Sequence, residues 1–392
     1  MHIFLLVISC SLTQFANIGV ISTAISQLEA IDMSGSLSSS VSVVNILGIS
    51  FAGICLGSIL TKLQGFRIGF WGPLVSSLLV LPMLFMNFFY VTLICVFLIS
   101  INSGLENPNN NSTLNRLIVD PKQKAYIFSK YQTAIQVSII FSPILSGILI
   151  LTIGHHFSYL VFIVFYLLSC LSWLCFRSIS SECKGEKKSL FLGYKLIANQ
   201  RSLRDLTISR ILNNFIFTGV IILIPIMAAK SSINNDHFTI IQNFAISTLG
   251  LGFVCNGFIS NKILKLNPLY TIPFAKSATI IGIIGALLPI IFNYSEYSIY
   301  LMTFILGFGQ FFFRLSGMTL GQAVTPTDHL GEVILASDTI VRGITAGYTM
   351  ILLASVQYFA SVIPFFIFCI LALPAPIFLI SSAQVYKAQC YG

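Results

Sequence analysis

An acid stands in this chain where a membrane protein rarely carries one. Glu106 lies within Asn102-Ser-Gly-Leu-Glu-Asn-Pro-Asn-Asn-Asn111, which continues the apolar run from Phe88 to Ile101 with no loop-like gap. One ionised group at mid-span costs about 2.5–3.5 kcal/mol on an insertion scale. Such a segment is tolerated only where it faces protein or a water-filled cavity. Glu106 therefore reads as a proton-exchanging carboxyl, as a neutral acid hydrogen-bonded to neighbouring helices, or as the permanent partner of a buried cation. Arg314 lies near the middle of a later apolar run and keeps its charge, so it needs an anion: Glu106, Asp338 or an acidic substrate. Asp338 and Arg342 are four residues apart on one helix face and can pair with each other. Arg210, one turn into its span, reads as an interfacial anchor.

Other chemistries find no footing. The chain shows no Walker loop, nucleophile triad or zinc motif, so neither an enzyme, a cofactor nor a metal is expected. His155-His156 reads as a surface pair in an outer loop. The nine cysteines lie mostly in apolar runs, without metal-ligand spacing, and do not form a disulfide framework.

The elements that must position these residues are membrane helices. Of 392 residues, 56% are hydrophobic and only 8% charged, and the mean hydropathy is +0.91. Soluble domains carry about 25% charged residues. A span needs about 20 apolar residues. Twelve are predicted, at about 3–25, 38–60, 68–88, 90–117, 124–151, 157–177, 206–229, 238–260, 269–292, 297–323, 332–357 and 361–382. The first reads as a span rather than a signal peptide, because it is long and lacks a basic leader. The net charge of +9 does not imply nucleic acid, because the basic residues fall in short loops. With a cytoplasmic N-terminus the outer loops hold only Lys230, which sets both termini inside. The polar segment 178–205 divides the chain into bundles 1–177 and 206–392, and within it 189–199 forms either a helix on the inner membrane surface or a plain loop.

The halves repeat each other. Phe15, Gly19, Val20 and Ile21 recur as Phe215, Gly219, Val220 and Ile221, and Cys55, Gly57, Ile59 and Lys62 recur as Cys255, Gly257, Ile259 and Lys262, both at a spacing of 200 residues. Parallel repeats place a substrate site between two bundles.

This layout resembles the major facilitator superfamily. The turn after span 2 is similar to that family's Gly-x-x-x-Asp-Arg-x-x-x-Arg signature, with Gly57, Lys62 and Arg67 in place but Thr61 and its repeat Asn261 where the aspartate belongs. Thr319-Leu-Gly-Gln322-Ala-Val-Thr-Pro326-Thr-Asp-His-Leu-Gly331-Glu-Val333 looks like the Thr-x-x-Gln-x-x-x-Pro-x-x-x-x-Gly-Arg-Val signature of the macrolide-efflux and enterobactin-exporter branch, with Glu332 replacing its arginine. Ser142-Pro143-Ile-Leu-Ser146-Gly147 resembles the exporter motif Gly-Pro-x-x-Gly-Gly with serines for two glycines.

The resemblance implies a fold of twelve helices in two pseudo-symmetric six-helix bundles, with spans 1, 4, 7 and 10 around a cavity. Gln14, Asn17, Asn102, Asn109, Asn213, Asn214 and Gln310 lie on those spans, with Gln132 and Gln136 on span 5. One such amide, bonded between helices, contributes only about 0.6 kcal/mol, so it is their concentration that suggests a cavity. The expectation is a monomeric inner-membrane antiporter exporting a siderophore or drug-like solute against protons, with Glu106, Arg314, Asp338 and Arg342 as its charges. The alternatives are import of a small organic anion in the same fold, or a sensor that transports nothing.

Overall fold

The computed structural model describes residues 2–31, 34–63, 65–86, 88–117, 121–176, 190–264, 271–325, 330–359 and 363–391. Every element among them is an α-helix, because backbone polar groups in lipid must be satisfied within the segment itself. In chain order these are α1 (His2–Glu29), α2 (Ser36–Leu63), α3 (Phe66–Phe85), α4 (Phe89–Leu117), α5 (Pro121–Leu174), α6 (Leu190–Asn199) and α7 (Arg201–Ser231). There follow α8 (Asn235–Leu264), α9 (Thr271–Ile291), α10 (Glu296–Val324), α11 (Leu330–Phe359), α12 (Ile363–Ala372) and α13 (Ala375–Tyr391). Among the described residues, eight helices are long and apolar enough to cross a membrane. The protein is an all-α, multi-span membrane protein.

Three sequence expectations change. The predicted loop between spans 5 and 6 is a single break inside α5, at Gly154 (φ 80°, ψ 170°). The apolar part of α5 runs for 41 residues, about twice what a bilayer accommodates, so an interruption is required. Glycine reaches that backbone conformation without a Cβ penalty. His155 and His156 therefore open a second helical run instead of lying in a loop, and His156 Nδ1 lies 2.7 Å from the carbonyl oxygen of Leu84. The segment predicted as a surface helix or loop at 189–199 is α6, and it docks on protein: Ile197 is buried with Leu203, Val324, Val333 and Ala336. The last predicted span, 361–382, breaks at Leu373–Pro374 into α12 and α13, since proline cannot continue a helical hydrogen-bond ladder.

The chain divides into two compact units, residues 1–187 with 228–247 and residues 188–227 with 248–392. Within the first, small residues let helices approach closely. A Cβ on Gly19 of α1 would enter the Phe162 ring of α5, and one on Gly69 of α3 would enter the Trp173 ring. A Cβ on Gly104 of α4 would lie 2.7 Å from the Ala52 Cβ and 3.0 Å from the Ile49 carbonyl of α2. Buried hydroxyls add bonds across the same contacts, as where Thr13 and Ser169 lie 2.6 Å apart.

The second unit uses the same devices. Gly219 of α7, the repeat partner of Gly19, packs against the Phe365 ring of α12. Gly252 of α8 meets the Phe304 carbonyl of α10, and Gly307 of α10 meets the Leu249 carbonyl of α8. Leu206, Phe313, Leu320, Ala375, Leu379 and Ala383 form a buried cluster joining α7, α10 and α13. The repeated glycines thus have one physical reason, a bulky ring or a backbone seated where a side chain would stand. Gly19→Val and Gly219→Val should each cost about 1–3 kcal/mol through overpacking. Thermal unfolding in detergent measures this, and unchanged midpoints would contradict the packing.

Candidate functional site

The polar stretch that opens the sequence problem faces α3. Asn102, Glu106 and Asn109 fall on one face of α4, and each meets a small residue or backbone group of the α3 region. Asn102 Nδ2 donates to Ser76 Oγ at 3.4 Å. Glu106 lies against Gly72, where any Cβ would run into its Oε1. Asn109 takes both polar groups of Gly65, accepting from its N–H at 2.6 Å and donating to its carbonyl at 3.1 Å. Gly65 has φ 87° and precedes α3, so Asn109 holds the turn that aims α3. Pro108 sits within α4 beside these side chains and removes one donor from the helical ladder there.

Glu106 is 4% exposed, and its Oε1 has no hydrogen-bond partner among the described residues. Arg201 pairs with Asp205 and Arg210 with Asp338, and no ion pair to Glu106 is found among the described residues. Its neighbourhood holds Cys10 of α1 and Tyr166 and Cys170 of α5. Of the three roles the sequence left open, arginine neutralisation finds no cation among the described residues.

A cavity of about 80 Å³ opens in the first unit beside this seam. Gln14, Asn17, Ile18 and Ile21 of α1 line it with Asn45 and Ile49 of α2 and Ile99, Ser100 and Ser103 of α4. The pocket polar groups are held in place: Ser100 Oγ donates to Asn45 Oδ1 at 2.7 Å, and the Tyr166 hydroxyl donates to Asn17 Oδ1 at 2.5 Å. Two of the amides expected in a cavity, Gln14 and Asn17, are there. Asn102 and Asn109 serve the α3 seam, and Gln136 is buried in α5 with its Oε1 unpartnered among the described residues.

The second unit gathers its own polar group on α7. Asn213 Nδ2 donates to Gln310 Oε1 of α10, and Thr279 Oγ1 of α9 donates to Asn213 Oδ1 at 3.4 Å. Asn214 Nδ2 donates to Thr345 Oγ1 of α11 at 2.9 Å. One turn earlier, Arg210 pairs with Asp338 and donates to Ser337 Oγ at 2.9 Å. Arg210 is thus not simply an interfacial anchor. The guanidinium bound to Asp338 comes from another helix, and Arg342 lies one turn along α11 within electrostatic reach of both.

The loop-motif residues are less informative. Arg67 is exposed, Gly257 is buried in α8, and Gly57 and Gly331 lie in α2 and α11. The side chains of Lys62, Gln132, Lys262 and Arg314, and the whole of Pro326, lie outside the described residues. The structure adds Gly72, Tyr166 and Arg210 to the candidate residues. Gly65, Gly69, Gly72 and Ser76 recur at helical spacing, a signal that a polar neighbour could have been sought on that face.

Fold and site define a multi-pass membrane transport protein. The chain belongs to the Major Facilitator Superfamily, whose family model matches residues 4–350. No curated protein matches it significantly. Among solved structures it is similar to a POT family transporter in complex with a thioalcohol-conjugated peptide (14% identity, TM-score 0.76, covering 98% of this chain and 96% of that one). A POT family transporter in complex with 5-aminolevulinic acid matches with the same identity, TM-score and coverage. A mutant peptide transporter in complex with alafosfalin matches at 13% identity and TM-score 0.70, covering 100% of this chain and 96% of that one.

These neighbours overturn the expected macrolide-efflux and enterobactin-exporter branch, and with it efflux, antiport and siderophore transport. The physical reason lies in the motif residues that carried that resemblance. Glu332 inverts the charge of the motif arginine, and Ser142 and Ser146 replace motif glycines. Ser142 Oγ donates to the Phe15 carbonyl at 2.5 Å and Ser146 Oγ lies 2.9 Å from Thr23 Oγ1, so the serines bond to α1 in place of a bare glycine contact.

Two outcomes follow from this geometry. Asn109→Ala leaves both polar groups of Gly65 without their partner and should cost about 1–3 kcal/mol in thermal unfolding. Asn109→Ala unfolding like the wild type would contradict the clamp. Arg210 and Asp338 side chains are each 33% exposed, so solvent discounts their pair, and a double-mutant cycle should return about 1 kcal/mol of coupling. Additive single effects would show that the pair contributes nothing.

Proposed function

We propose that the protein is a proton-coupled transporter that takes up a small organic solute of peptide or amino-acid-like chemistry, with Glu106 as the proton-carrying group. The observation that carries the coupling role is the Glu106 carboxyl itself: buried in a helix seam, beside a small polar pocket, with no cation paired to it among the described residues. Ionisable groups inside a membrane bundle are commonly functional. The uptake direction and substrate class are supported by the fold shared with peptide transporters.

The fuller architecture belongs to this proposal. Twelve spans form bundles 1–177 and 206–392, joined by linker 178–205, in a transporter that works by alternating access. Both termini are cytoplasmic in the inner membrane, as the lysine and arginine distribution favours. Gln14, Asn17, Asn45, Ser100 and Ser103 contact the solute in the first bundle, and Asn213, Asn214 and Gln310 form a polar surface in the second. Arg210, Asp338 and Arg342, with Arg314, set its charge.

The test is accumulation of labelled dipeptides and of labelled 5-aminolevulinic acid in proteoliposomes under an imposed inward proton gradient. Accumulation above the equilibrium level is expected with wild type. Glu106→Gln should lose gradient-driven accumulation by at least about tenfold, the usual scale for a missing acid–base group, and keep exchange of pre-loaded solute. Full accumulation by Glu106→Gln would remove its coupling role. Extrusion of solute from intact cells would overturn the direction.

A further inference from the structure

Tyr166, in the second helical run of α5, is wholly buried. A buried phenol needs a partner for its O–H. Here it donates to Asn17 Oδ1 at 2.5 Å, and Asn17 lines the pocket. The Tyr166 hydroxyl also lies near Ser76 of α3 and within electrostatic range of Glu106. Ser76 in turn accepts from Asn102, one turn above Glu106 on the same face of α4, and Gly72 is one turn from Ser76 on α3. A line of side chains therefore runs from pocket to carboxyl: Asn17, Tyr166, Ser76 and Asn102, with Glu106 in the next turn.

The surroundings leave few competitors for this role. Gly72 of α3 lies against Glu106, and Cys10 of α1 and Tyr166 and Cys170 of α5 are within its electrostatic reach, with Tyr131 beside Cys10. Arg67, on the same helix as Gly72, is exposed. Among the described residues none of the groups packed around the carboxyl carries a formal charge, so hydroxyl orientation is the main local field that can change.

We propose that Tyr166 is the positioning residue that couples occupancy of the pocket to the protonation of Glu106. The phenol has one proton to donate and lone pairs to accept. With the pocket empty it donates to Asn17. A solute that engages the Asn17 amide takes that acceptor away, and the hydroxyl turns its donor toward the seam. A donor dipole aimed at the seam favours ionised Glu106, and one held by Asn17 does not. By linkage the effect is reciprocal: protonation of Glu106 sends the hydroxyl back to Asn17 and alters affinity in the pocket. This coupling rests on Glu106 being the titrating group proposed above, and the test separates the two.

The full-length protein in detergent is titrated by infrared difference spectroscopy, reading the carbonyl stretch of the protonated buried acid, with no solute needed. Glu106→Gln should abolish the band. Tyr166→Phe keeps the ring and removes the hydroxyl, and should move the band's midpoint by at least about half a pH unit. Asn17→Ala acts from the pocket end of the line and should also move it, although Asn17 is not among the groups facing Glu106. Thr13→Val breaks a comparable α1–α5 hydrogen bond off the line, between Thr13 and Ser169, and should leave the midpoint in place. A band that survives Glu106→Gln overturns the assignment of Glu106, and the coupling with it. A band lost in Glu106→Gln but unmoved by Tyr166→Phe and by Asn17→Ala overturns the role of Tyr166 alone. Equal shifts from Thr13→Val would also overturn that role, since any loosening of α1 would then suffice.

Discussion

The polar seam of the first unit is built around one contact, the Glu106 carboxyl against the bare face of Gly72. A carboxyl at membrane depth must be enclosed by protein or water, and here α3 encloses it by having no side chain at the point of approach. The rest of the seam follows in register. One turn to one side Asn102 meets Ser76, and one turn to the other Asn109 grips Gly65. The polar stretch of α4 thus becomes compatible with a span because Asn102, Glu106 and Asn109 are turned toward α3 and Ser103 toward the pocket. The Gly65 clamp fixes where α3 starts, and that start sets which α3 residue stands opposite Glu106.

With the acid turned toward α3, the pocket is left to other residues. Ser100 and Ser103 of α4 face Asn17 and Asn45, on the side of α4 away from the seam. In the proposed function the two faces of α4 take different tasks, proton on one and solute on the other. Such a division lets coupling pass through a few oriented hydroxyls and amides, without a charged residue in direct contact with solute. In the second unit α7 is likewise polar on more than one side, with Asn213 bonded to α10, Asn214 to α11 and Arg210 to Asp338.

The class of protein was legible from composition, and the importance of residues 102–111 from the cost of placing Glu106 in a span. The repeat was legible too, and Gly19 and Gly219 show why it exists, since each seats a phenylalanine ring. The facing direction of the polar residues was not legible. Asn102, Glu106 and Asn109 clearly share a helix face, but periodicity fixes a face and not its neighbour. Only packing revealed that the neighbour is α3, where Gly65, Gly72 and Ser76 supply the complementary surface. Tyr166 escaped notice because a tyrosine in an apolar run looks like any aromatic until its hydroxyl has a partner. Arg210 was misjudged for a similar reason: its acid, Asp338, is 128 residues away in sequence. The exporter motifs misled because spacing survived while Glu332, Ser142 and Ser146 changed the chemistry.

The most direct measurement of this account is a double-mutant cycle between α3 and α4, read by thermal unfolding and by proton-driven uptake. Gly72→Ala alone forces the Glu106 carboxyl out of its place, and should lower both stability and uptake. In a Glu106→Ala background the space is vacant, so the same Gly72→Ala change should cost little stability, giving a coupling of about 0.5–3 kcal/mol. If Gly72→Ala costs the same stability with and without the carboxyl, Glu106 does not occupy the face of Gly72, and the seam described above is not what holds the acid.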